Sequence, residues 1–99
     1  MRNPMNIERD SLAEFCRRNH IRRLSLFGSV LGEQFGPDSD VDMLVEFEPA
    51  VAVSLLDMAR MEMELTQMVG RKVDLRTPNE LSRYFREQVL ASAVVQYAA

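Results

Sequence analysis

The chain has 99 residues, 46% of them hydrophobic and 27% charged, and carries a formal net charge of -3. That length allows one domain with a real core, and the composition excludes a disordered or fibrous chain. The acidic balance argues against a partner gripped through a nucleic-acid backbone, and a single cysteine, Cys16, excludes an internal disulfide or a cysteine-based zinc cluster.

The opening stretch MRNPMNIERDSLAEF lacks the apolar core of a signal peptide. No apolar run approaches the ~18 residues of a membrane span, so a cytoplasmic protein without a membrane partner is expected. Asn6 is placed to cap a helix over residues 7–18, with Leu12, Phe15 and Cys16 on its apolar side and Cys16 acting as a small buried hydrophobe. Asn19 and His20 end that helix. Residues 23–27, RLSLF, alternate as a half-buried strand does and stop at Gly28. One or two helical turns fit residues 29–34, and GPDSD from Gly36 has turn chemistry, with Asp38 in a local capping role.

The run VDMLVEF, Val41–Phe47, reads as the second strand and ends before Pro49. Over residues 53–69 the positions Met58, Met61, Leu65 and Met68 recur at helical spacing, and Gly70 is a natural stop. The methionines at 58, 61, 63 and 68 read as adaptable core filler. Residues 72–75, KVDL, form a short third strand. Thr77-Pro78-Asn79-Glu80 then opens a last helix reaching Tyr97, whose apolar face packs internally or pairs with another chain. With no repeat or linker, residues 1–99 make one α/β (α+β) domain, a small mixed sheet of about three strands flanked by helices.

The chemistry concentrates around the second strand. Alternation along a strand sends Asp40 and Asp42 to one face, a spacing suited to two carboxylates sharing divalent cations. Asp74 adds a third carboxylate if its strand lies beside Val41–Phe47. Magnesium prefers oxygen ligands and is commonly held by one or two carboxylates plus substrate phosphates. At Gly28-Ser29 a strand feeds a helix, where glycine permits close approach and free N–H groups meet an anion. Each piece also has a plainer reading: a Gly-Ser turn, a solvated Pro-Asp-Ser-Asp turn, a charge guarding a strand edge. Two rival motifs fail. An EF-hand loop from Asp38 would need glycine at Met43 and glutamate at Pro49, and GSVLGEQFG lacks the lysine of a P-loop.

Phe27-Gly28-Ser29, Pro37-Asp38-Ser39-Asp40-Val41-Asp42 and Leu44-Val45-Glu46-Phe47 together resemble the minimal nucleotidyltransferases of the DNA polymerase beta superfamily. The resemblance extends through Lys72-Val73-Asp74-Leu75 to the closing helix. It implies that Gly28 and Ser29 meet the phosphates of ATP, and that Asp40 and Asp42 hold two Mg2+ ions. It makes Asp74 a third ligand that also helps deprotonate the attacking hydroxyl. It further implies an antitoxin that transfers AMP to a tyrosine of a HEPN-type toxin, or alternatively a non-catalytic module that neutralises its partner by covering it. Family members often carry arginines between Gly-Ser and Asp-x-Asp, whereas VLGEQFGP has none. Arg22, Arg23, Arg71 and Lys72 are the cations available to compensate.

Overall fold

The structure is a computed structural model, and it describes residues 8–28 and 40–99. Asn6, Ser29, Asp38 and the turns expected between residues 29 and 39 lie outside the described residues.

Helix α1 (Arg9–Arg18) buries Leu12, Phe15 and Cys16, an i, i+3, i+4 stripe that faces the core while its charges face water. The Asn19 side chain donates to the Phe15 carbonyl at 2.8 Å, and His20 takes a left-handed turn at φ 57°, which ends the helix where the sequence predicts. Strand β1 (Ile21–Phe27) starts two residues earlier than its alternation suggests. Its pairing is irregular between Ile21 and Arg23, and both Arg22 and Arg23 stay in solvent. Strand β2 (Val41–Phe47) runs antiparallel to β1. Helix α2 (Leu55–Val69) opens on a capping box, Ser54 with Asp57, and closes on Gly70 at φ 79°. It buries Met61 and Leu65, with Met58 and Met68 packed alongside, but Met63 is 67% exposed. Met63 stands two residues from Met61, roughly 200° around the helix, so it is surface and not core filler.

Strand β3 (Val73–Arg76) lies parallel to β2, so β2, α2 and β3 form a crossover unit. β3 is also an edge strand, and side chains of α2 satisfy its outward amides. The Val73 N–H donates to Thr66 Oγ1 at 3.0 Å and the Leu75 N–H to Glu62 Oε2 at 2.8 Å. Those two bonds cover an edge that would otherwise be open to pairing.

The expected last helix is divided. A 3-10 turn at Pro78–Glu80 precedes α3 (Arg83–Ser92), and the chain then extends into β4 (Val94–Ala98). β4 pairs antiparallel with β1, giving a four-stranded sheet in the order β3-β2-β1-β4 in place of about three strands. Val89, Leu90, Ala93, Val94 and Tyr97 fit a helical period, which explains the reading. Yet Val94 and Val95 are β-branched, and strand β1 offers an unpaired edge, so tertiary pairing overrides the local pattern.

The two faces of the sheet are covered differently. Leu24 and Leu26, Val41, Met43 and Val45, Val73 and Leu75 join residues of α1 and α2 in the main core. Phe27 and Leu44 meet Val89 of α3 on the opposite face. Alternation therefore sends Asp42 and Asp74 to the face that carries α3.

Candidate active site

Strand register assembles the site. Phe27 of β1 pairs with Asp42 of β2, and Asp42 pairs in turn with Asp74 of β3. Neighbouring strands stand about 4.8 Å apart, so two acids separated by 32 places in the sequence become cross-strand neighbours on one face. The Val41 N–H donates to the Lys72 carbonyl at 2.8 Å, fixing this end of the β2–β3 pair. Val41 is fully buried in the main core, so its flanking residues Asp40 and Asp42 face the other way. Asp40 is exposed immediately before β2, and Asp42 is half-buried.

Gly28 closes β1 against this cluster. It has φ 74°, and a Cβ built there would lie 3.3 Å from Asp42 Cγ and overlap its Oδ2. Glycine is required twice, by backbone conformation and by the carboxylate beside it. Ser29 lies outside the described residues, so its expected contact with phosphate has no structural counterpart here.

Asp74 holds a partner that sequence reasoning missed. Arg76 Nε donates to Asp74 Oδ1 at 3.1 Å and its Nη2 donates to Oδ2 at 3.3 Å. The fork satisfies both carboxylate oxygens and offsets the repulsion expected between adjacent acids. These hydrogen bonds, with the charge of Asp74 behind them, raise the guanidinium pKa further above its ordinary value. The signal was present in the sequence: in Val-Asp-Leu-Arg, positions 74 and 76 fall on one strand face.

The four cations proposed to compensate for the missing arginines separate into two groups. Arg22 and Arg23 both lie 3.6 Å from Glu46, whose rung is four residues, about 13 Å, along β2 from Asp42. They belong to the far end of the sheet and cannot serve the acids. Arg71 and Lys72 immediately precede β3, at the end that carries Asp42 and Asp74. A groove of about 430 Å³, lined by Glu46, Phe47, Met58 and Thr77 among others, also occupies the far end. The carboxylates that could do chemistry are not in it.

Among the described residues no three acidic, histidine or cysteine side chains form a ready-made metal cage. The donor set nevertheless fits magnesium: Asp40, Asp42 and Asp74 offer only hard carboxylate oxygens, and substrate phosphates would supply remaining ligands. The absent Cβ of Gly28 lets the Asp42 carboxylate lie against the end of β1.

The profile of the nucleotidyltransferase domain matches residues 9–96. The chain belongs to this family. Among its relatives, the protein adenylyltransferase MntA of Thermococcus cleftensis is 35% identical over 81 residues, spanning 82% of this chain and 80% of that protein. A solved structure assigned as a minimal nucleotidyltransferase is 37% identical, with TM-score 0.71, covering 87% of this chain and 86% of its own. The MNT antitoxin fold also aligns: a complex of tri-AMPylated Shewanella oneidensis HEPN toxin with MNT antitoxin gives TM-score 0.65 at 19% identity, covering 92% of this chain and 70% of that one. At that identity the likeness is one of fold. The nucleotidyltransferase core expected from the Gly-Ser and Asp-x-Asp segments is thus present, with four strands.

Proposed function

We propose that this nucleotidyltransferase transfers AMP from ATP to a tyrosine hydroxyl of a HEPN-type partner toxin and acts as its antitoxin in the cytoplasm. The observation that supports it most is the rung Phe27–Asp42–Asp74 with Gly28 against Asp42, because three separate segments deliver carboxylates and a close-approach glycine to one place. The adenylyltransferase relative, and the AMPylated toxin complex that shares the fold, make AMP and a protein acceptor the favoured donor group and substrate.

In this reading Gly28 and Ser29 would receive the phosphates, and Asp40, Asp42 and Asp74 would hold two magnesium ions. When bound, the metal neutralises triphosphate charge and lowers the pKa of the attacking hydroxyl. The tyrosine oxygen attacks the α-phosphorus, the bond to the β-phosphate oxygen breaks, and pyrophosphate leaves. The family resemblance gives the proton of the attacking hydroxyl to an Asp74 carboxylate oxygen, a role ionised carboxylates serve when a proton lies within hydrogen-bond reach.

The test combines the chain, α-labelled ATP, magnesium and a HEPN-type protein encoded beside it. Native chain should label the partner, and Asp40→Asn/Asp42→Asn should reduce labelling at least a hundredfold. If neither form labels the partner while both still neutralise it, the transferase reading is lost and a purely binding antitoxin takes its place.

A further inference from the structure

We propose that Arg76 is a positioning residue that holds Asp74 until a divalent cation arrives and then turns to the nucleotide's phosphates, replacing the arginines absent between Ser29 and Asp40. This rests on the nucleotidyltransferase reading above. Its basis is the bidentate contact, Nε to Oδ1 at 3.1 Å and Nη2 to Oδ2 at 3.3 Å, which occupies the oxygens a cation would need. Cation and guanidinium therefore compete for one carboxylate.

The exchange requires only a side-chain movement. The amides of Val73 and Leu75 are tied to Thr66 and Glu62, so the β3 backbone stays put while the arginine turns. The Arg76 side chain is 48% exposed, so releasing it costs little desolvation. Once released, it remains on the face of β3 that carries Asp74, level with Leu44 and two residues along the strand, within side-chain reach of phosphates held through cations on Asp74. A planar guanidinium suits phosphate oxygens as well as it suits a carboxylate. Arg22 and Arg23 cannot substitute from the Glu46 end of the sheet.

Two binding measurements on the full chain test this, with folding of each variant checked by circular dichroism. Mn2+ affinity, read by electron paramagnetic resonance without nucleotide, should become about threefold tighter in Arg76→Met, the scale of one exposed ion pair. Affinity for a non-hydrolysable ATP analogue at saturating Mg2+ should fall about fivefold or more in Arg76→Met. In Arg76→Lys, which keeps the charge but loses the planar fork, it should fall less than in Arg76→Met. In an Asp74→Asn background the Mn2+ effect of Arg76→Met should vanish. Unchanged or weaker Mn2+ binding in Arg76→Met, persistence of the effect without Asp74, or unchanged analogue affinity overturns the proposal. A native chain that binds both probes but is indifferent to Arg76 removes this inference alone. If neither native nor Arg76→Met binds either probe, the nucleotidyltransferase reading falls with it.

Discussion

Gly28 and Gly70 share nearly the same backbone conformation, φ 74° and φ 79°, yet they differ in what surrounds them. A Cβ at Gly70 meets nothing within 4 Å, whereas one at Gly28 runs into the Asp42 carboxylate. Alanine at either site should cost about 1 kcal/mol from the left-handed backbone alone. Gly28→Ala should in addition displace Asp42 and cut AMP transfer at least tenfold, while Gly70→Ala should leave transfer within twofold of native. Thermal melts and labelled-ATP assays on the two variants separate backbone strain from damage to the site. Cys16 makes a second prediction at this scale. Burial pushes its thiol up from 9.0 to about 12, so the native chain should resist Ellman's reagent at pH 8 and react fully once denatured. The linkage follows the same sign. Below pH 9 both states keep the thiol protonated, and between about 9 and about 12 only the unfolded chain ionises, so stability should fall across that interval.

At the scale of elements, the edge strand β3 depends on α2 as much as on β2. Thr66 Oγ1 donates to the Glu62 carbonyl at 2.8 Å and accepts from the Val73 N–H, linking helix to strand through one hydroxyl. Thr66→Val keeps the shape and strands that amide, so unfolding in urea should show a loss of about 1–2 kcal/mol. Helix α3 is fastened to the preceding turn in a comparable way. Arg86 donates from Nε to the Pro78 carbonyl at 2.8 Å and from Nη2 to the Leu81 carbonyl at 3.2 Å. Neither link was legible beforehand, because each joins a helix side chain to a backbone group on another element. By contrast, the Asn19–His20 stop and the Gly70 stop were legible, since each acts within a few residues of itself.

For the whole molecule, β4 decides how the sheet is finished. Leu24 and Leu26, both fully buried, sit on the strand that β4 covers at Tyr97 and Val94. A chain ending at Ser92 should expose that edge of β1, lose its cooperative thermal transition and sediment as aggregate, whereas the native chain should melt in one step. Periodicity could not reveal β4, because its apolar residues continue the helical pattern of α3. Only the availability of a partner strand resolves the two readings.

The sequence by itself determined what short-range chemistry can determine: α1 and its stop, the β2 segment, the Gly70 stop of α2, and the placing of Asp40 and Asp42 on one side of a strand. Those follow from rotational period, turn residues and alternation, all readable within a few positions. Tertiary structure decided what depends on which strands become neighbours. It placed Asp74 in register with Asp42, sent Arg22 and Arg23 to the far end with Glu46 and made a strand of the last apolar residues. The physical reason is common to all three: register is a relation between distant segments, set by the core-facing set of each strand and by the crossover through α2.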